Sequence, residues 1–396
     1  TTLYKEAIYM QNFNFNLPTE IVFGKDCVSS LGKKAAPYGK NVLVMYGGGS
    51  VKRNGVLDKV LASLDGYNIT ELGGVEPNPR ITTVRKGIAV AKEKKIDFIV
   101  AVGGGSTIDC AKAVAGGVYF NDDPWLFMLD NSLFPTKALP LLTVLTLAAT
   151  GSEMNGNFVI TNWETNDKLA CFSPFIIPKV SFMDPEFTFT VNKYQTACGT
   201  ADIMSHIFEV YFDPNDEAFV SDKLCEALLL TCIKYGPVAV KDPTDYEARS
   251  NLMWAGTLAI NKLLNCGKQG VSWAVHGMEH QLSAYHDITH GAGLAILTPA
   301  WMEYVLCDET VDKFARYAEA VWGIKDDDKY AAARQAISRT KYFFASLGLP
   351  STQREAGIKK KYFAEMAEKA HRFSDTEAAY FPLKEEDIVK IYEKCY

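Results

Sequence analysis

Residues 98–106 read FIVAVGGGS. The unbroken apolar run from Phe98 to Val102 is what a strand buried on both faces of a sheet presents. Gly103, Gly104 and Gly105 stop it, Ser106 follows, and a helical pattern takes over from Ile108 to Val118. The same order occurs upstream. Asn41 to Tyr46 (NVLVMY) runs into Gly47-Gly48-Gly49-Ser50, and Lys52 to Leu64 then places Val56, Val60, Leu61 and Leu64 on one helical face. Between and beyond these units lie a strand over Tyr67 to Leu72, a two-proline turn over Val75 to Pro79, and a helix over Ile81 to Lys94. Further strands are predicted at Leu139 to Leu145, Phe158 to Thr161 and Ala170 to Ser173. Strands alternating with amphipathic helices predict a mostly parallel sheet covered on both faces.

Beyond Pro185 the β-rich runs stop. Helical patterns cover Tyr194–Tyr211, Ala218–Tyr235, Tyr246–Leu264, Thr310–Val321, Tyr330–Leu347, Lys359–His371 and Glu385–Tyr392. The expected division is an α/β domain over 1–186 and an all-helical domain over 187–396. The aromatic stretch from Phe13 to Val22 reads as an exposed hairpin able to pair across a dimer.

Composition narrows the function classes. With 41 Lys and Arg against 47 Asp and Glu, the formal charge of −6 offers no basic excess for a phosphate backbone, so no nucleic-acid partner is expected. Thr1 to Asn16 lacks the basic region and long apolar run of a signal peptide. Apolar stretches such as Leu139 to Ala149 fall short of the roughly 20 residues of a membrane span, so no membrane partner is expected. The nine cysteines form no CxxC pair, and Cys225 and Cys232 are misspaced for zinc. They read as reduced thiols of a cytoplasmic protein.

Four of the six histidines, His276, His280, His286 and His290, fall within fifteen residues, and His206 lies four residues after Asp202. Positions i and i+4 share a helix face, so Asp202 and His206 can address one atom, as can His276 and His280. A helix break at Gly291 to Gly293 would let His290 return toward His276. One carboxylate with two or three imidazoles suits Fe(II), Zn(II), Mn(II) or Co(II). Spacing alone leaves open whether His280 is a ligand. It also leaves open a chance cluster or a metal-free histidine proton relay. The glycine runs are the second signal, since backbone amides at a helix N-terminus after a buried strand can cradle phosphate. Neither run is a GxGxxG or a P-loop, and either alone could be a tight turn. Asp109, close behind the second run, would repel a phosphate and is expected to meet a donor such as an amide or a ribose hydroxyl. Gly151-Ser152-Glu153 is not a nucleophile elbow, because GxSxG is absent.

Taken in order and spacing, these residues resemble the iron-containing (group III) alcohol dehydrogenases, and within them the NADP-dependent aldehyde reductase and butanol dehydrogenase branch. The resemblance runs through Tyr46-Gly47-Gly48-Gly49-Ser50-Val51-Lys52, Gly74-Val75-Glu76-Pro77-Asn78-Pro79 and Gly103 to Ser106 with Asp109. It continues through Leu145-Thr146, Ala149-Thr150-Gly151-Ser152-Glu153, Met183-Asp184-Pro185, Asp202 with His206, and Trp273 to Gly291. It implies a dehydroquinate synthase-like fold, a Rossmann-like nucleotide-binding domain followed by an all-helical metal-binding domain. It implies one divalent metal held by Asp202, His206, His276 and His290, with His280 near the nicotinamide and able to handle a proton. It implies that Gly47, Gly48, Ser50, Gly103, Gly104, Gly105, Ser106, Asp109, Thr146, Ser152 and Lys168 contact the cofactor, and it suggests a homodimer.

NAD-preferring relatives of this family tend to carry an Asp after the first strand. Here Gly47 stands in that place and leaves room for a 2′-phosphate, with Lys52 or Arg53 to meet it, so NADP(H) is expected over NAD(H). The expected reaction interconverts short- to medium-chain aldehydes and primary alcohols. Its rivals are an NAD-dependent polyol or butanol dehydrogenase of the same fold, a dehydroquinate-synthase-like lyase, and a non-catalytic cofactor-binding protein. The lyase would need basic side chains for a carboxylated, phosphorylated substrate, and Gly270 to Thr289 has no Lys or Arg.

Overall fold

A computed structural model describes residues 9–214, 217–270 and 272–396. The reading of Thr1 to Asn16 as lacking a leader lies partly outside these residues. The chain forms two compact units. One takes Asn16–Val191 together with Pro243–Thr257, and the other takes Asn192–Asp242, Leu258–Tyr396 and the described residues up to Phe15. This partition is not the linear one at 186/187, which stands as a proposed sequence division. Part of the second half of the chain, Pro243–Thr257, belongs with the sheet. There Trp254 stacks edge-on against Phe23, with ring centres 6.5 Å apart, and the Arg249 guanidinium donates to the Pro243 carbonyl at 2.9 Å and the Val191 carbonyl at 3.4 Å.

The sheet unit holds eight strands: β1 (Glu20–Phe23), β2 (Asn41–Gly47), β3 (Asn68–Val75), β4 (Phe98–Gly103), β5 (Leu141–Leu145), β6 (Asn157–Asn162), β7 (Asp167–Phe172) and β8 (Val180–Met183). Six form one sheet in the order β1-β8-β5-β4-β2-β3, with every pairing parallel. β6 and β7 make a separate antiparallel pair. The helices around them are α1 (Leu31–Ala35), α2 (Ser50–Arg53), α3 (Val56–Ser63), α4 (Ile81–Glu93), α5 (Gly105–Gly117) and α6 (Trp125–Leu129). β4 is buried at every position, as its unbroken apolar run requires. Val42, Val44, Phe98, Val100, Val102, Val144 and Phe182 pack into one core cluster with Val56, Leu57 and Val60 of α3.

Two readings are corrected here. Phe13 to Val22 does not form a hairpin among the described residues, because Glu20 to Phe23 pairs in parallel with Val180 to Met183 of the same chain. The helix expected over Lys52 to Leu64 is two helices. Gly55 sits at φ 77° between them, where a left-handed backbone ends one helix and starts the next.

After β8 the chain is helical: α7 (Lys193–Tyr211), α8 (Phe219–Lys241), α9 (Tyr246–Ala259), α10 (Ala274–His286), α11 (His290–Val305), α12 (Val311–Trp322), α13 (Lys329–Ser346), α14 (Phe363–Phe373) and α15 (Glu385–Lys394). All but most of α9 belong to the helical unit. α7 is buried from Thr196 to Tyr211 and packs on α8, α10 and α11. The break between α10 and α11 is not at Gly291 to Gly293. Asp287 ends α10 in the left-handed conformation at φ 50°, and α11 restarts at His290. Gly291 and Gly293 lie inside α11, where they permit close approach. A Cβ on Gly291 would stand 2.0 Å from the Cys198 carbonyl oxygen of α7, and one on Gly293 2.7 Å from Glu279 Cγ of α10. No helix among the described residues is long and apolar enough to cross a membrane.

Candidate active site

Three helix segments of the helical unit bring one carboxylate and three imidazoles together. Asp202 and His206 lie one turn apart on α7, His276 is in the first turn of α10, and His290 opens α11. Asp202 Oδ1 is the hub. His206 Nδ1 lies 3.6 Å from it, His276 Nε2 3.7 Å and His290 Nε2 3.6 Å. Donor atoms of Asp202, His276 and His290 all lie within 4.8 Å of one another. The His206 and His276 rings stack at 4.4 Å.

Among the described residues, Asp202 Oδ1, His206 Nδ1 and His276 Nε2 are buried without a hydrogen-bond partner. A buried polar atom without a partner costs about 1–3 kcal/mol. Three such atoms converging on one place make an arrangement that a cation satisfies. Ligands held at roughly 2.0–2.2 Å from a tetrahedral centre stand about 3.4 Å apart, close to the separations here. The residues therefore fit a divalent metal, and the mixed oxygen and nitrogen set suits the borderline ions named above.

Two buried carboxylates hold the imidazoles in register. His276 Nδ1 is in very short contact with Glu209 Oε2, and His290 Nδ1 with Glu279 Oε2. With Nδ1 turned to a carboxylate, each ring presents Nε2 to Asp202. Glu209 also accepts the Val275 amide at 2.6 Å and the His276 amide at 3.3 Å, so one side chain of α7 caps α10 and aims its histidine. Glu279 accepts the Ser283 hydroxyl at 2.5 Å. Neither glutamate is singled out by the sequence analysis. The signal was present, since each follows a ligand by three residues on the same helix, Glu209 after His206 and Glu279 after His276.

The electrostatics follow from this packing. Burial opposes the charge on Asp202, but His206, His290 and His276 outweigh it and hold the carboxyl down at about 2. Burial brings His206 down to about 4. Burial also opposes charge on His276, yet Glu209 beside it lifts this imidazole to about 9. Ligation needs the neutral ring, so loading the site displaces a proton.

His280 lies beside the cluster, its ring 5.6 Å from that of His290 and 6.4 Å from that of His276. It groups with Glu279 and His290, but there the Glu279 oxygen already serves His290. The Trp273 indole stands edge-on to His206 at 5.9 Å and to His276 at 5.4 Å. His286 lies at the far end of α10, its ring against Tyr362.

The glycine runs belong to the sheet unit and end adjacent parallel strands, β2 and β4. The chain leaves β2 for β3 on one side and returns to β4 on the other, so these two strand ends flank the point where the winding reverses. Open α/β sheets bind ligands there. Gly103 to Ser106 leads into α5, whose N-terminus has no side-chain cap among the described residues, leaving first-turn amides for an anion. A Cβ on Gly105 would meet Thr150 Oγ1 at 2.3 Å, and one on Gly103 Thr107 Oγ1 at 2.5 Å, whereas one on Gly48 would meet nothing within 4 Å. Ser50 opens α2 directly after the first run. The Thr146 amide donates to the Gly103 carbonyl at 3.0 Å, fixing the β5 end beside the second run. Lys168 is buried on β7 opposite Thr161, and its charge reaches Asp109. Asp109 and Ser152 are turned to each other, with Ser152 Oγ donating to Asp109 Oδ1 at 2.6 Å.

The description "Iron-containing alcohol dehydrogenase" matches residues 18–185, and "Fe-containing alcohol dehydrogenase family, C-terminal" matches 196–396. The chain belongs to the iron-containing alcohol dehydrogenase family. It is an NAD(P)H-dependent, metal-associated enzyme of that family, moving hydride between alcohols and aldehydes. Over 391 residues it is 52% identical to NADH-dependent butanol dehydrogenase A of Clostridium acetobutylicum, covering 98% of this chain and 100% of the relative. It is 40% identical to the NADPH-dependent aldehyde reductase YqhD of Escherichia coli, covering 88% of this chain and 90% of the relative. Among solved structures, NADH-dependent butanol dehydrogenase A of Thermotoga maritima superposes with a TM-score of 0.93 at 38% identity, over 98% of this chain and 99% of that one. This iron-containing alcohol dehydrogenase thus shares fold and length with both NADH-linked and NADPH-linked relatives.

Proposed function

We propose that the protein is an NADH-linked butanol dehydrogenase and aldehyde reductase, interconverting short- to medium-chain aldehydes and primary alcohols. The observation that carries the reading is the convergence of the unpartnered buried atoms of Asp202, His206 and His276, with His290, on one place. In this proposal Asp202, His206, His276 and His290 hold one divalent ion, Fe(II) or Zn(II) before Mn(II) or Co(II). When bound, such an ion supplies Lewis acidity to the substrate oxygen, and the nicotinamide supplies or accepts the hydride. The chain's own residues do the rest. Glu209 and Glu279 fix the faces that His276 and His290 present. His280, half-buried at the edge of the cluster, exchanges the proton with water as the aldehyde oxygen becomes a hydroxyl. Gly103, Gly104, Gly105 and Ser106 offer backbone to the pyrophosphate, Gly47, Gly48 and Ser50 border the adenine ribose, Thr146 is assigned to the nicotinamide half and Lys168 to a cofactor ribose. A homodimer and a cytoplasmic location belong to the same proposal. The nine free cysteines support a reducing compartment.

NADH replaces the NADP(H) expected from Gly47 for two reasons. Four relatives between 44% and 52% identical carry NADH in their names, while the NADPH-named aldehyde reductase is 40% identical. The second reason is electrostatic. Lys52, one of the two cations expected to meet a 2′-phosphate, lies 3.9 Å from the Glu71 carboxylate, which also accepts the Tyr46 hydroxyl at 2.9 Å. An incoming phosphate would meet that carboxylate as well as the ammonium. The test is kcat/KM for butanal reduction with each cofactor. NADH is expected to be favoured about tenfold or more, the effect of one uncompensated charge contact. A tenfold preference for NADPH would restore the argument from Gly47.

A further inference from the structure

α5 carries a buried lysine for which neither the metal cluster nor the glycine runs have a use. Lys112 has no exposed surface. Its ammonium donates to Ser152 Oγ at 2.8 Å, Asn155 Oδ1 at 3.1 Å and the Asn157 carbonyl at 2.7 Å. An ammonium has three donors, and all three are used. Asp109, three residues earlier on the same helix, accepts the Ser152 hydroxyl on Oδ1 and the Val159 amide on Oδ2 at 3.0 Å. Asn155 closes the segment on itself, its Nδ2 donating to the Gly151 carbonyl at 2.9 Å. The other charges facing this pair are Glu153, which accepts the Thr257 hydroxyl, and Lys168 of β7. Burial brings the Lys112 ammonium down to about 8 against the pull of Asp109 and Glu153. A buried, fully paired charge of this kind is weak evidence for stability, because an apolar residue of similar volume often serves as well. Its contacts are better read by what they hold.

They hold residues 151–159. This segment joins the β5 end to the β6–β7 hairpin that carries Lys168. Just before it, the Thr150 side chain occupies the space that the missing Cβ of Gly105 leaves open. We propose that Lys112 and Asp109 are positioning residues for the nicotinamide cofactor, clamping 151–159 onto the helix whose N-terminus receives the pyrophosphate. The inference rests on the cofactor reading above and gives Asp109 and Ser152 an indirect part in binding. Loosening the clamp lets Thr150 leave Gly105 and Lys168 leave Asp109, which weakens cofactor binding and leaves the helical unit's metal cluster untouched.

The test uses the metal-loaded, full-length enzyme with Lys112→Met and Asn155→Ala. NADH affinity is read by fluorescence titration, and KM and kcat by butanal reduction. In both variants the NADH Kd and KM are expected to rise about tenfold, as for the loss of one or two hydrogen bonds. Metal content and kcat at saturating NADH stay within about threefold of wild type. Where Lys112→Met fails to fold, Asn155→Ala decides, since it removes one acceptor of the Lys112 ammonium and the amide that closes the segment on the Gly151 carbonyl. A fall in kcat with NADH Kd and KM unchanged overturns the proposal. Wild-type enzyme that binds no nicotinamide nucleotide overturns the cofactor reading itself, a different result from wild type that binds and variants that bind equally well.

Discussion

His276→Ala is expected to yield a folded protein that neither retains a divalent metal nor turns over. Its Nε2 is one of the three buried atoms that lack a partner around Asp202, and no other described side chain of α10 presents a nitrogen to that carboxylate. Lewis-acid stabilisation is worth several kcal/mol, and about 4 kcal/mol corresponds to a thousandfold in rate. Turnover with butanal should therefore fall about a thousandfold, while the melting temperature stays near that of the metal-free wild type. The melt is the control for folding, because removing His276 also relieves its contact with Glu209. Metal content measured after gel filtration and the rate with added Fe(II) or Zn(II) check the two halves. A variant that keeps both metal and activity would sink the ligand assignment.

Glu209→Ala has the second-largest expected effect, and it separates aiming from ligation. The glutamate is buried and takes three donors, the amides of Val275 and His276 and the Nδ1 of His276. Truncation leaves two buried amides of the first turn of α10 unpaired, at about 1–3 kcal/mol for each group. It also frees the ring that carries the Nε2 ligand. Carboxylates behind a metal-bound histidine typically contribute about 10–100-fold in metal affinity, and that loss is expected here along with a lower melting temperature. Glu209→Gln keeps an acceptor for the amides, so it should recover most of the stability but little of the metal affinity. Competition with a fluorescent chelator reads the affinity, and calorimetry reads the stability. Wild-type affinity in both variants would show that His276 is aimed by something other than Glu209.

The sheet and the pairing of Asp202 with His206 were legible in the sequence for the same reason. Both rest on local periodicity. The run from Phe98 to Val102 can only be a strand covered on both faces, and Asp202 with His206 can only share a face if Lys193–Tyr211 is helical. What escaped notice depends on burial and long-range packing, which a single sequence does not display. Glu209 and Glu279 look like surface charges on helices until α7, α10 and α11 close over them. α11 is apolar on nearly every side, so it shows no period to read, and its glycines suggested a break when they serve close contact with Cys198 and Glu279. The four residues of β8 were too few to stand out. Asp109 stands out in the sequence as a carboxylate close behind a glycine run, but only the fold shows that it accepts the Ser152 hydroxyl to which Lys112 donates. Lys52 read as a free cation because Glu71 lies nineteen residues away in sequence and becomes its neighbour only when β2 and β3 pair.

The central claim is that the cluster around Asp202 holds a metal on which hydride transfer depends. Metal analysis of freshly purified protein, alongside NADH oxidation with butanal before and after chelation, tests it most directly. About one divalent ion per chain is predicted, the number a single four-ligand site holds. Activity should be lost on chelation and regained with Fe(II) or Zn(II). Metal-free protein that still reduces butanal at the full rate would contradict the account. It would leave a dehydrogenase whose Asp202, His206, His276 and His290 do something else.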